Sequence, residues 1–372
     1  MKFSREGQPT WWISLIPFVV LVAALTVVIY VFGTDALSGA SQVALMFSAG
    51  VTVVLAMVLY RIPWKTFEDS ILENITSIGT SIVILLLIGA VAGSWMISGV
   101  VPTLIYYGMK VIFPEIFLFA TCAISAVIAV MTGSSWTTIA TIGIALMGIG
   151  EAQGFDPGWT AGAIISGAYF GDKVSPLSDT TVLAASVTDV PLFSHIRYLM
   201  FTTVPSLIIT LIIFTIAGLS HEAADTTHIA LFCDTLANKF HISGWLMIVP
   251  IVTAIMIAKK VPSLITLFLS TALATIFAVI FQPELLVELA GDAGSYTLTL
   301  IKGAMSILFG STNLDTGNAE INDLIATRGM SGMLDTIWLI ICAMCFGGAM
   351  TAGGMLDSIT SVFTRFAKSC VS

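Results

Sequence analysis

Charge is what this sequence has least of. Only 10% of its 372 residues are Asp, Glu, Lys or Arg, against roughly 25% in a soluble domain, which excludes an ordinary water-soluble enzyme. Basic residues are the scarcer sign, 14 Lys and Arg against 22 Asp and Glu, for a net charge of −8. With no basic stripe to neutralise phosphates, nucleic-acid binding is excluded as well. Histidine occurs four times, always outside the long apolar runs. That removes the usual base for a buried serine nucleophile and argues against an intramembrane hydrolase acting through Ser134 or Ser135. Of five cysteines, Cys122, Cys342, Cys345 and Cys370 lie in or beside apolar runs and Cys233 falls in what reads as a polar loop. Neither a disulfide frame nor a zinc site is suggested. A Gly-x-x-x-x-Gly-Lys-Ser/Thr phosphate loop is missing too, so nucleotide-driven chemistry has no foothold.

What is abundant is apolar. Ala, Val, Ile, Leu, Met, Phe, Trp, Tyr and Cys make up 57% of the chain and the mean hydropathy is +1.01, more apolar surface than a soluble core hides. The fold class expected is an all-α polytopic membrane protein. About 20 apolar residues cross the hydrocarbon core as a helix, and runs near 12–32, 41–60, 76–98, 115–132, 159–171, 198–219, 243–258, 261–281 and 333–356 are read as spans. The first follows Lys2 and Arg5 but is too long for a signal peptide. Short cytoplasmic loops are enriched in Lys and Arg, which puts Lys2, Arg5, Arg61, Lys65, Arg197, Lys259 and Lys260 inside. The acidic loops 33–40, 220–242 and 282–297 then lie outside and the N-terminus is cytoplasmic. No loop is long enough for a separate catalytic domain.

A shift of 255 residues lays Ser81-Ile82 over Thr336-Ile337, Gly93 over Gly348, Gly99 over Gly354 and Lys110 over Arg365. Two spans joined by a basic loop precede each copy, and the copies start on opposite sides. The chain is therefore expected to be one transporter domain, 1–372, with a first repeat over 1–219 and a partial second over 243–372. Inverted repeats of this kind serve alternating access in secondary transporters. The counterpart of 133–181 would begin near 388, past Ser372, so the second copy is expected to be incomplete, through either fragmentation or loss.

Two polar stretches interrupt the apolar pattern: Gly133-Ser-Ser-Trp-Thr-Thr138 and Gly171-Asp-Lys-Val-Ser-Pro-Leu-Ser-Asp-Thr-Thr181. The first is followed by a half-length run, Ile139 to Gly150, the pattern of a broken or re-entrant helix. The second offers two carboxylates and four hydroxyls, the oxygen-rich chemistry that a hard cation such as Na+ selects. In an unbroken helix Asp172 and Asp179 would stand about 10 Å apart along the axis. Pro176 cannot donate to the Asp172 carbonyl and disfavours a helical Ser175, so an unwound turn would let both carboxylates converge. The candidate cation and proton ligands are Asp172, Ser175, Ser178, Asp179, Thr180, Thr181, Ser134, Ser135 and Thr138, with Asp172 and Asp179 the titrating pair. The same stretch also fits a plain cytoplasmic loop in which Lys173 pairs with an aspartate, and a Ser or Thr after Gly133 also serves to cap its own helix.

Gly133-Ser-Ser-Trp-Thr-Thr-Ile-Ala-Thr-Ile-Gly143 and Gly167-Ala-Tyr-Phe-Gly-Asp-Lys-Val-Ser-Pro-Leu-Ser-Asp-Thr-Thr181 resemble the signature of the NhaC family of sodium/proton antiporters, within the ion transporter superfamily. The family commonly carries another glycine where this chain has Thr137. The resemblance implies an inner-membrane secondary antiporter of inverted repeats exchanging Na+ for H+, with Asp172, Ser175, Ser178, Asp179, Thr180 and Thr181 near the cation path. Some family members resemble malate/lactate exchangers, so sodium- or proton-coupled exchange of small carboxylates is the alternative. Lipid, Na+ and H+ are the partners expected, with no cofactor beyond the transported ions and with a homodimer left open.

Other clusters carry less. Gly310-Ser-Thr-Asn-Leu-Asp-Thr-Gly317 reads first as an outer loop, Asp335 as a first-turn residue of its helix, and Cys342 and Cys345 as packing groups. His195 is the one histidine beside a cytoplasmic boundary, where a pH-sensing role competes with simple solvation.

Overall fold

Hydrocarbon offers backbone N–H and C=O groups no partner, so each long apolar run has to satisfy them within itself, as a helix. The computed structural model describes residues 9–111, 113–176, 178, 180–181, 184–185, 190–220, 226–259, 261–291 and 294–367, and all nine runs are helical in it. In chain order the first helices are α1 (Trp11–Phe32), α2 (Ala40–Tyr60), α3 (Trp64–Ser77), α4 (Gly79–Ile97), α5 (Val100–Val111) and α6 (Pro114–Thr132). Next come α7 (Ser135–Thr138), a π turn (Ile139–Gly143) and α8 (Ile144–Ala152), which follow one another without a break, then α9 (Pro157–Val174) and α10 (Leu192–Leu219). The remainder are α11 (Thr226–Lys239), α12 (Ile248–Ala258), α13 (Ser263–Phe281), α14 (Pro283–Ala290), α15 (Tyr296–Phe309), α16 (Ala319–Ile325), α17 (Leu334–Ala352) and α18 (Met355–Ala367). Seven helices among the described residues are long and apolar enough to cross a membrane. The chain is a multi-pass helical membrane protein.

The helices fall into two compact units, residues 1–85 with 333–372, and residues 86–332. In the first, α17 packs against α2 and α3, and α1 against α2 and α18. Ala56, Phe67, Ala349 and Met355 are fully buried there. Polar side chains tie the unit together where apolar packing cannot give direction: Gln42 Nε2 donates to the carbonyls of Leu37 at 2.7 Å and Asp335 at 3.2 Å, and Ser70 Oγ donates to the Gly348 carbonyl at 3.0 Å. Asp335 lies in the first turn of α17, the position its sequence suggested. Cys342 is buried with Leu21 and Leu45, a packing role.

The second unit is built around α6 and α9. Three contacts hold one offset of 45 residues: Gly167 on the Cys122 carbonyl, Gly171 on Ala126, and Ser175 on Val130. The two helices are therefore parallel. Gly167 and Gly171 permit this closeness, since a Cβ at either would overlap α6 backbone, the small-residue packing that replaces the hydrophobic effect in a bilayer. Helix α10 lies against both, with Gly218 on the Glu115 carbonyl and Trp159 edge-on to Phe214 at 6.2 Å.

The stretch 220–242, read as an outer polar loop, differs from that expectation. It contains α11, in which Phe232, Cys233 and Leu236 are buried. The helix is amphipathic with an apolar face only a few residues wide, too short to register as a span. From Leu231–Lys239 to Gly244–Ala258 the chain bends by 89°. Buried Gln282 holds the bend: its Oε1 accepts the His241 N–H at 3.1 Å and its Nε2 donates to the His241 carbonyl at 3.2 Å.

Candidate functional site

The site begins where α6 stops. Gly133 ends the helix in the left-handed region, φ 65°, with its N–H on the Ala129 carbonyl at 2.8 Å, a conformation that costs an L side chain about 1–2 kcal/mol. Ser134 is extended and caps α7, its Oγ accepting from the Thr137 N–H at 3.2 Å and the Thr137 hydroxyl at 3.1 Å. Because Ser134 does the capping, Ser135 is free to project. Ser135 is buried, 4% exposed, and its Oγ donates to Asp172 Oδ2 at 2.8 Å. Downstream, the Thr138 hydroxyl donates to the Ser134 carbonyl at 3.0 Å and that of Thr141 to the Thr137 carbonyl at 2.8 Å, closing backbone acceptors beside the π turn.

Asp172 comes from the last turn of α9, and Pro176 explains why that helix ends. Ser175, immediately before it, is extended at φ −75°, ψ 129°, as a residue preceding proline prefers. Its N–H still closes on the Gly171 carbonyl at 3.0 Å and its Oγ donates across to the Val130 carbonyl at 2.8 Å. The chain then turns back, with the Ser178 N–H on the Ser175 carbonyl at 3.3 Å. This brings the fully buried Ser178 Oγ to Asp172 Oδ1 at 2.6 Å. Having donated to Asp172, Ser178 accepts from the Thr180 hydroxyl at 2.9 Å. Thr181 Oγ1 donates to the Lys173 carbonyl at 3.1 Å.

The predicted residues thus divide. Ser135 and Ser178 grip one oxygen each of a half-buried Asp172 carboxylate, and Thr180 stands behind Ser178. Ser134, Thr138, Ser175 and Thr181 hold backbone and fix the two breaks in place. Asp179, the second carboxylate, lies outside the described residues, as do His221, Lys260 and Asp292. The unwound turn at Pro176 is present, though the Asp172 carbonyl that the proline leaves without its helical donor is met by the Thr181 hydroxyl at 3.3 Å, which also reaches the Lys173 carbonyl at 3.1 Å. Two contributors escaped the sequence reading: Thr141 and the Gly167-x-x-x-Gly171 pair. For the glycines a signal was available, since small residues four apart mark a close helix interface.

Chemically the site is a carboxylate with two hydroxyl donors, both able to rotate and present oxygen lone pairs instead. A carboxylate with neutral oxygens is suited to a hard monovalent cation. Residues 167–371 match the model of the Na+/H+ antiporter family, more than half of the chain. The chain belongs to that family. Among curated antiporters it is 36% identical to the malate-2H+/Na+-lactate antiporter of Bacillus subtilis, over 87% of this chain and 66% of that protein. It is 36% identical to the Na+/H+ antiporter NhaC of Alkalihalophilus pseudofirmus, over 82% and 63%. NhaC of Bacillus subtilis is 32% identical over 84% and 67%. The chain thus spans about two thirds of the length of these antiporters.

Proposed function

We propose that the protein is a secondary transporter and not an enzyme, exchanging Na+ for H+ across the plasma membrane, with Asp172 as a titrating ligand. The observation that carries this reading is the carboxylate of Asp172 held between the hydroxyls of Ser135 and Ser178 at the meeting of two helix ends. A carboxylate has to be deprotonated to hold a cation, so Na+ binding releases a proton and one group couples both flows by competition, without ATP. Asp179 is the second titrating candidate. Ser135 and Ser178 supply neutral oxygens, while Ser134, Ser175, Thr138, Thr180 and Thr181 set their positions. The N-terminus is cytoplasmic in this reading and the working unit is open to a homodimer.

The proposed inverted repeat gains support from the helices themselves. Both α4 and α17 have 19 residues, and each is followed by a two-residue break with a left-handed glycine, Gly99 at φ 83° and Gly354 at φ 64°. The two helix pairs begin 255 residues apart, the offset read from the sequence.

A second reading, exchange of small carboxylates, is favoured by the likeness to a malate/lactate antiporter. Inside-out vesicles carrying the protein and a proton gradient separate the two. NaCl should dissipate the gradient, and both Asp172→Asn and Asp179→Asn should abolish the response. A response to malate or lactate but not to Na+, Li+ or K+ would replace the first reading by the second.

A further inference from the structure

Hydroxyls inside helices of this protein usually bond their own backbone. Ser48, Thr52, Thr253 and Thr271 are buried, and each donates to the carbonyl four residues before it at 2.8 Å. Among the described residues four buried hydroxyls of the second unit do otherwise: that of Thr103 in α5, and three along the α6–α9 pair. Thr121 and Ser125 of α6 and Thr160 of α9 are fully buried, and their oxygens have no hydrogen-bond partner. An orphaned buried hydroxyl is costly, and three along one seam call for a common explanation.

Their placement supplies it. Ser125 faces Gly167, one helical turn before Gly171 and Asp172. Thr121 is one turn further down the same face of α6. Thr160 lies beside Gly150 and Phe117 and, by the same 45-residue offset, level with Glu115, about 9 Å beyond Thr121 along the parallel pair. Thr160 is in the first turn of α9, next to exposed Asp156, Pro157, Gly158 and Trp159, and Glu115 is exposed at the corresponding end of α6. The column therefore runs from beneath Asp172 to an acidic, exposed end of the unit. Thr121 and Ser125, four apart on one helix, stand about 5–6 Å from one another, a gap that one water bridges with two ordinary hydrogen bonds, and the longer step to Thr160 takes two waters.

We propose that Thr121, Ser125 and Thr160 line a file of water that carries protons between Asp172 and the end of the α6–α9 seam at Glu115 and Asp156. A hydroxyl both donates and accepts, so a proton received on its oxygen leaves by the hydrogen already there, and the side chain is unchanged once it rotates back. Asp172 gains or loses one proton and the medium balances it. Sodium does not use this route, since the seam offers single hydroxyls and not a coordination shell. The inference rests on Asp172 titrating during transport.

The test uses Thr121→Val, Ser125→Ala and Thr160→Val in the whole chain, none of them at the cation site, with Thr121→Ser as the rescue. In proteoliposomes, Thr121→Val should slow Na+-driven proton movement at least tenfold with the Na+ half-saturation unchanged, and Thr121→Ser should restore it. Thermal unfolding of the purified protein gives an independent readout. Replacing a hydroxyl that holds water by a methyl group should lower the melting temperature, whereas replacing a dry, orphaned hydroxyl should raise it. A raised melting temperature in Thr121→Val overturns the proposal, as does an unaltered proton rate in all three variants. A protein silent to Na+ would remove the antiport reading instead, and the melting shifts would still decide whether the seam is wet.

Discussion

At the residue scale, the hydroxyls around Asp172 do two different jobs, and the difference is measurable. Ser178 touches the carboxylate, at 2.6 Å, whereas Ser175 three residues earlier bonds the Val130 carbonyl at 2.8 Å. With Asp172 and Ser178 at the cation site as proposed, losing one direct oxygen ligand is worth about 1–1.5 kcal/mol, roughly tenfold in affinity. Ser178→Ala should therefore raise the half-saturation for Na+ about tenfold with a small change in stability. Ser175→Ala should do the reverse, lowering the unfolding temperature while leaving half-saturation nearly unaltered. Sequence alone picked out both serines because the density of oxygens around Pro176 is local. It could not sort them, because which hydroxyl reaches the carboxylate depends on the return of the chain after Pro176 and on the presence of α6 beside it.

At the element scale, the α6–α9 pair depends on Gly167 and Gly171, where any larger residue would press on α6 backbone. Overpacking of this kind costs about 1–3 kcal/mol. Gly171→Leu should show it as a lower melting temperature and, by displacing the neighbouring Asp172, as a loss of the Na+ response. The segment after α15 behaves differently. Asp315 Oδ1 accepts the Gly317 N–H at 2.9 Å and the Asn322 amide at 3.2 Å, and these bonds, the Gly317 one first, hold its carboxyl below the ordinary aspartate value. For a lowered carboxyl the stabilisation is complete above the ordinary value and is lost as pH falls through the lower, folded one. Protection of the Gly317 amide, its exchange measured against the unstructured rate at the same pH, should accordingly hold near neutral pH and fall only in that acid range, a dependence that Asp315→Asn should remove. Seven of the nine apolar runs read as spans are helices long and apolar enough to cross a membrane, whereas 159–171 falls in α9 and 243–258 in the short segment after the 89° bend. α11 was not legible in the sequence, since its apolar face is spread over polar neighbours and its burial against the rest of the unit is a tertiary fact.

At the scale of the whole molecule, matched helix pairs invite a matched perturbation. Gly99 and Gly354 both sit in the left-handed region, where alanine costs about 1–2 kcal/mol. Among the described residues a Cβ at Gly354 would find only Pro9, at 3.5 Å, but one at Gly99 would meet the Gln282 amide at 2.5 Å. Calorimetry of Gly354→Ala should show the conformational cost alone, and Gly99→Ala a larger one that also loosens the bend Gln282 holds. The offset between the pairs was visible in the sequence because glycines at helix breaks are dictated by backbone geometry. The column of orphaned hydroxyls was not visible, because a Thr in an apolar helix looks the same whether or not its own carbonyl takes its hydrogen.

The contacts at Gly167, Gly171 and Ser175 fix the second half of α9 to α6 and oppose sliding or tilting of one helix against the other. The movement that the proposed antiport requires then falls on other helices, and the pair becomes an internal distance standard. Spin labels at Val127 and Tyr169, both exposed, should keep one separation under every Na+ and proton gradient. A third label placed anywhere else then reports true displacement against a ruler that the protein itself supplies.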